Sequence, residues 1–263
     1  MGALKNMQNK DTVTSVKIRA FRAIEDLEAS MKFVNGHRRL LEAFGVKAVT
    51  SANIDWVYNP AVFVIIVESL DGEKIFGGSR VHAAGGTQPL PIEEATGKKD
   101  PKIYDMVNQL KEHGTGELCG LWNSREVAGL GIGAYFATRA GVTLSSMIGI
   151  SSMFALCASY TVKFAMRVGC NIVTELGNNG TYYYPKEDLL ATAVLLRDTI
   201  PLSLAVPEER EIMFDLRKKP VQTRFEINPL RKNELEIHYD LQIDSLNQDE
   251  FKHKFRQALN QSQ

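Results

Sequence analysis

The chain has 263 residues, enough to bury a full core as one large domain or two small ones. Its 31 Lys and Arg balance 31 Asp and Glu, so no basic surplus points to a nucleic acid, and the 5 His are scattered. Cys119, Cys157 and Cys170 are too few for a disulfide framework, lack metal-ligand spacing and sit in apolar segments. They read as buried thiols of a reducing compartment, with no metal expected.

The polar start "MGALKNMQNKDTVTS" lacks the apolar centre of a signal peptide, and residues 1–14 read as a flexible N-terminus. "SVKIRAF" reads as a strand. In the following segment Ile24, Leu27, Met31, Val34, Leu41 and Phe44 recur at near-helical spacing, which predicts a helix broken or bent near Gly36. "SANIDWVYNP" reads as loop from its Asn and Pro. "AVFVIIVESLDGEKIFGGSRVHAA" predicts a hairpin: an apolar β-branched strand, an Asp71-Gly72 turn and a return strand. "GGTQPLPIEEATGKKDP" is a Gly- and Pro-rich loop long enough to suggest a function. "KIYDMVNQLKEHG" predicts a short helix ended by Gly114.

Next come a strand, "GELCGLW", a glycine-rich loop, and a helix to about Met147. "SMFALCA" reads as an interior strand, "YTVKFAMRVG" as a short helix closed by Gly169, and "CNIVTEL" as another strand. Beyond Pro185 lie a helix-like "KEDLLATAVLLRD", the segment "TIPLSLAVP", and a candidate hairpin ending in "ELEIHYDLQI". The uncharged run from Ala140 to Val162 is rich in Ser, Thr and Gly, so it predicts a buried helix running into a central strand rather than a membrane span. The protein is expected to be soluble and cytoplasmic. Residues 15–245 read as one α/β domain. Residues 246–263, with Phe251, Phe255 and Leu259 four apart, read as a C-terminal docking or partner helix.

The glycine loop "REVAGLGIGAYFATRAG" lies between a strand and a helix, where unpaired N–H groups and the helix dipole favour a phosphate. Glycines let an anion approach the amides. Gly129, Gly131 and Ala134 fit a loose dinucleotide fingerprint, but the acid expected about 20 residues on is missing; the next is Glu175. No Walker sequence follows. A tight turn that packs helix on strand without any ligand remains the plain alternative.

The run of strand, glycine loop, helix, strand and short helix resembles the GNAT superfamily of acyl-CoA-dependent N-acyltransferases, through "AGLGIGAYFATRA" and "FAMRVGC" and in element order from Ser15 to Leu176. That resemblance implies a mixed α/β (α+β) fold with a splayed central sheet flanked by helices, followed here by a C-terminal strand and helix extension. It implies that pantetheine lies between "GELCGLW" and "SMFALCA", its amides pairing with the backbone near Leu121 and Trp122. The pyrophosphate would rest on Gly129, Leu130, Gly131, Ile132, Gly133 and Ala134. A backbone N–H near Cys119 to Leu121 would face the reacting carbonyl oxygen. The chain departs from the pattern at Ala128, where Gln or Arg is usual, at Ser159, where Asn is common, and at Ala165, where the usual proton-donating Tyr would stand. Tyr160 is the substitute nearest in sequence. A narrower similarity links "IFGGSRVHAAGGTQPLPIE" and "GELCGLWNSREV" to acyl-homoserine-lactone and N-acyl amino acid synthases through Arg80, Pro89 and Glu117, with Gly120 where that branch has Arg.

The roles that follow are expectations. Glu117 is the candidate general base, since an ammonium must lose a proton before it attacks a thioester; the alternative is a strand-end Glu facing solvent. Arg80 and His82, two apart and so on one strand face, are candidates for binding an acceptor carboxylate and relaying a proton; the alternative is an exposed strand face. Trp122 and Tyr160 line an acyl pocket or fill core, and "TYYYP" forms a substrate wall or a half-buried strand. Cys157 lacks a His neighbour in sequence that would make it a nucleophile. The leading expectation is an enzyme moving an acyl group from CoA or an acyl carrier protein to a small-molecule primary amine, with room for a homodimer. The alternative is a catalytically degenerate GNAT domain that binds an acyl thioester or a partner protein.

Overall fold

The computed structural model describes residues 15–46, 54–128, 130, 132–227 and 234–243. The expectations for residues 1–14 and 246–263, and those for Gly129 and Gly131, lie outside the described residues. The chain opens with β1 (Ser15–Arg22) and α1 (Leu27–Ala43), followed by the hairpin β2 (Val62–Glu68) and β3 (Ile75–Ala83). Then come α2 (Pro91–Thr96), α3 (Lys102–Lys111), β4 (Thr115–Asn123), α4 (Ala137–Met147), β5 (Ser152–Ala158) and α5 (Val162–Arg167). Short strands β6 (Asn171–Ile172) and β7 (Thr181–Tyr183) precede β8 (Leu190–Leu196), α6 (Pro207–Lys218), β9 (Val221–Ile227) and β10 (Glu234–Asp240).

Among the described residues the ten strands form one mixed sheet in the order β6-β8-β5-β4-β3-β2-β1-β10-β9, with β7 also on β8. β2 is central and buried along its whole length, as expected for an apolar run covered on both faces. β1 alternates, sending Val16, Ile18 and Ala20 into the core under α4. The predicted Asp71-Gly72 turn is present: Gly72 has φ +73°, and the Asp71 carboxylate accepts the Glu73 N–H at 3.0 Å. Gly114 and Gly169, with φ of +82° and +100°, end α3 and α5 as their sequence positions predict. The uncharged run is the end of α4, a turn and the interior strand β5. None of the described helices is long and apolar enough to cross a membrane.

Four elements differ from the sequence reading. Residues predicted as a helix after Pro185 form β8, buried between β5 and β6; a strand covered on both faces is a continuous apolar run, which periodicity does not separate from a buried helix. The region ahead of the last hairpin contains α6, whose start Pro207-Glu208-Glu209 and end Arg217-Lys218 match the helix dipole. The Gly- and Pro-rich loop holds α2, begun by Pro91, with the Glu93 carboxylate accepting the Leu90 N–H at 2.7 Å. α1 runs unbroken through Gly36 and buries a different face from the one predicted.

That face is Ala29, Ser30, Phe33, Val34, Gly36 and His37, whereas Ile24, Leu27, Met31 and Phe44 are exposed. The cause is Trp122 of β4. A Cβ on Gly36 would stand 2.2 Å from the Trp122 ring, so the glycine admits the indole instead of bending the helix. Phe33 packs edge-on against both Trp56 and Trp122 beside it. Asp26 caps the helix by accepting the Ala29 N–H at 2.9 Å.

Candidate active site

β4 and β5 run parallel, yet they pair only where Thr115, Gly116 and Glu117 meet Ser152, Met153 and Phe154. Beyond Glu117 the strands part: β4 stays with β3, and β5 stays with β8. A bulge in β4 accompanies the divergence. Trp122 pairs with Gly78 and Cys119 with Arg80, so Gly120 and Leu121 together oppose Ser79. Gly120 adopts φ +61°, which a residue with a Cβ takes only under strain.

The gap is a slot of about 180 Å³, lined by Leu118 to Leu121 of β4 and Met153 to Ala158 of β5. Thr138 and Val142 of α4, Ala165 of α5, Val168, Cys170, Tyr160, Thr161 and His37 complete its walls. Tyr160 stands at the mouth with 70% of its surface exposed. Burial pushes the thiols of Cys119 and Cys157 up to about 11 and that of Cys170 higher still, so none is a thiolate at neutral pH. Trp122 does not line the slot; its side chain belongs to the core under α1.

α4, which lends Thr138 and Val142 to the slot, has an irregular start. Residues Ile132–Phe136 make a π-helical turn that runs into α4, an irregularity often found at functional sites. Gly133 lies against β4, where a Cβ would come 2.3 Å from the Trp122 carbonyl oxygen, and its N–H donates to Asn123 Oδ1 at 3.0 Å. The Ala128 N–H donates to the Arg125 carbonyl at 3.3 Å and the Leu130 N–H to the Val127 carbonyl at 3.1 Å. Of the amides predicted to face the diphosphate, those of Leu130 and Gly133 thus have partners, one within the loop and one on β4. Ser159 is exposed and donates to the Leu190 carbonyl at 3.2 Å.

Glu117, Arg80 and His82 come together on the sheet face beneath α1 and α2. His82 pairs with Glu117 and Arg80 with Cys119 in the β3–β4 ladder. All three are buried, Arg80 to 1% exposure, so neither the solvent-facing strand end nor the exposed strand face describes them. Glu117, at the last paired position before the strands part, accepts the Ile92 N–H at 2.6 Å. Burial pushes its carboxyl up to about 8, against the pull of the Ile92 amide and of Arg80.

The Arg80 guanidinium lies 4.3 Å over the Trp56 ring and donates through Nε to Cys119 Sγ at 3.1 Å. Among the described residues no carboxylate pairs with it, and its Nη1 is buried with no partner. The Asn59 amide fixes the state of His82. Asn59 Oδ1 accepts the Ala61 N–H at 2.9 Å, so its Nδ2 donates to His82 Nε2, 3.2 Å away, and the proton of the neutral ring is on Nδ1. That Nδ1–H is also buried without a partner. Burial, aided by Arg80, lowers His82 to about 3 and keeps it neutral. Two orphaned donors, one of them charged, therefore border a small cavity walled by Trp56, Gln88, Pro89, Pro91 and Glu94. A buried cation without a counter-ion costs several kcal/mol until an anion reaches it, so the arrangement suits a ligand carboxylate.

Trp56, Asn59, Asn123 and His37 had not been singled out in the sequence. The first two sit in the segment read as loop, and the pattern "NIDWVYNP" carried only its turn residues as signal. Among the described residues no group of three His, Cys, Asp or Glu side chains is placed to hold a metal.

No family model and no curated protein matches the chain by sequence. Solved structures match by shape. The N-acyl amino acid synthase FeeM from uncultured soil microbes superposes with a TM-score of 0.54 at 15% identity, over 73% of this chain and 95% of that one. The CoA-dependent acyl-homoserine lactone synthase BjaI, with SAM and isopentyl-CoA, gives 0.49 at 14% identity over 78% and 90%. The aminoglycoside acetyltransferase AAC(6')-Ib with coenzyme A gives 0.41 at 18% identity over 69% and 94%. The chain shares the mixed, open-sheet fold that FeeM shows.

Proposed function

We propose that the chain is an acyltransferase that moves an acyl group from a CoA or acyl-carrier-protein thioester to the primary amine of an acceptor bearing a carboxylate. The observation that carries this reading is the conjunction at the head of the slot. Glu117 stands where β4 and β5 part, beside two buried donors, Arg80 Nη1 and His82 Nδ1–H, that lack an acceptor. The slot takes the thiol-bearing arm, with the backbone at Leu121 and Trp122 along it and the Gly120 bulge freeing amides toward the thioester carbonyl. The diphosphate lies at the start of the α4 unit, near Ile132 and Ala134, and Tyr160 and Ser159 flank the mouth.

Arg80 and His82 hold the acceptor carboxylate and turn its amine toward Glu117. A carboxyl near 8 is matched to its task, since it takes a proton from an ammonium more effectively than an ordinary carboxylate does. The free amine attacks the carbonyl carbon, the C–N bond forms, the C–S bond breaks, and amide and thiol leave. Besides the three thiols, Tyr160 at the mouth and His37 on the wall are the slot-lining side chains with a titratable proton to give the leaving sulfur.

The test is turnover by the whole chain. Hexanoyl-CoA is offered with a panel of amino acids and polyamines, and thiol release and product mass are recorded. Acylation of carboxylate-bearing amines, with polyamines inert, is the expected result. A thermal shift with CoA reads binding separately, since ligand at about 100 times Kd adds roughly 2.7 kcal/mol. CoA binding without acylation of any amine would favour the binding-module alternative, for which Ala165, a slot wall with only a methyl group to offer, is the supporting observation.

A further inference from the structure

Of the groups facing the slot, most are poor vehicles for a proton. The thiols of Cys119, Cys157 and Cys170 are held protonated by burial. Thr161 has its hydroxyl committed to the Ala158 carbonyl at 2.8 Å, and the Tyr160 ring stands in water. Ala165, the position where the resembling family carries its proton-donating Tyr, offers only a methyl group to the slot.

His37 differs. It projects from α1 into the slot and is itself buried. Its position is fixed from two sides. Gly36 seats α1 on the Trp122 ring, and Phe33, one turn earlier, holds its ring centroid 6.2 Å from the imidazole. Burial first, and Arg80 second, lower the ring to about 4, so it is neutral at working pH and able to accept a proton, and the imidazolium gives that proton up readily.

We propose that His37 is a catalytic residue of this site, carrying the proton from the attacking nitrogen to the leaving sulfur. The proposal rests on the acyl-transfer reading. One ammonium proton goes to Glu117, and the amine adds to the thioester carbonyl. The adduct nitrogen then gives a second proton to the unprotonated ring nitrogen of His37. As the C–S bond breaks, the ring passes a proton to the thiolate. His37 ends neutral, the products are an amide and a thiol, and Glu117 returns its proton to water.

The experiment compares wild type, His37→Gln, His37→Ala and Tyr160→Phe, with hexanoyl-CoA and whichever amine of the panel reacts fastest. His37→Gln should lose about 100-fold or more in kcat, a usual share for general acid–base catalysis, with its thermal shift by CoA unchanged. His37→Ala should be rescued at least tenfold by free imidazole, and far less by pyrazole, a ring of the same shape and weaker basicity. A His37→Gln variant within threefold of wild type, a Tyr160→Phe loss larger than its own, no rescue, or equal rescue by both rings would overturn the proposal. A wild-type protein that acylates no amine at all would end the acyl-transfer reading together with it.

Discussion

Arg80 and Arg139 are the two largest fully buried side chains among the described residues, and they lie on opposite faces of the sheet. Arg139, on α4, has everything it needs. Its Nε donates to Glu209 and its Nη1 to Glu226, each at 2.7 Å, and Nη2 reaches the Tyr135 hydroxyl at 3.3 Å. Arg167 and Arg224 brace the same two carboxylates from the rim. Arg80 has a thiol, an indole face and an open nitrogen. Burial alone thus does not separate a binding cation from a structural one; the state of its partners does. The Arg139 cluster ties α4 to α6 and β9, while Arg80 keeps a buried nitrogen without a partner, which is the ground for proposing it as the acceptor's anchor.

This contrast breaks most visibly at Arg139. Arg139→Met strips Glu209 and Glu226 of their common partner and should cost about 3–5 kcal/mol in denaturant melts. A loss below about 1 kcal/mol would mean that the network is not the structural one described. Glu117→Gln comes next, with kcat/KM falling about 100-fold or more and the rise of the wild-type rate through pH about 8 abolished. The same variant has a stability signature. The folded chain holds the Glu117 proton up to about 8, and the unfolded chain only to about 4.5, so its contribution is complete below 4.5 and lost as the pH rises to about 8. Glu117→Gln should therefore gain on wild type with rising pH across that window, by at most about 1.4 kcal/mol per unit in paired melts.

Arg80→Met sharpens the comparison from the other side. It removes an unpaired buried charge, so stability should stay level or rise, while KM for a carboxylate-bearing amine climbs about 10- to 100-fold, the worth of a charged hydrogen bond. Stability falling as far as in Arg139→Met would erase the distinction. The smallest effect is expected at the bulge: Gly120→Ala should lose about 1–2 kcal/mol from its left-handed backbone, read as a lower Tm.

Much of this was legible in the chain. The Asp71-Gly72 turn, the closing Gly114 and Gly169 and the apolar β2 announced themselves because local chemistry sets them. The spacing of Arg80 and His82 placed them on one face, and Glu117 fell near the strand divergence. What stayed hidden depended on distant neighbours. The face that α1 buries is chosen by Trp122, 86 residues after Gly36 (122 − 36). β8 looks helical because its run is apolar but for Thr192, with no alternation to mark a strand. The N–H of Gly133 was read as free for an anion, yet Asn123 claims it from the preceding strand. That Arg80 lacks a partner is a fact of three dimensions, since acids such as Glu93 and Glu94 stand near it in the chain without pairing to it.

The extra residue at Gly120 also sets the phase of everything after it. Simple alternation from Glu117 through Cys119 would send residue 121 beneath α1 and turn Trp122 away; the insertion reverses this, and the indole meets Gly36. With all its residues in place, β4 keeps that anchor and that wall of the slot only while Gly120 and Leu121 share one position opposite Ser79. Straightening the bulge in the intact chain would turn Trp122 away from α1, whereas excising Gly120 would leave Leu121 alone opposite Ser79 and Trp122 still opposite Gly78, so the shortened strand should keep its helix anchor and lose only the widening that the bulge gives the slot.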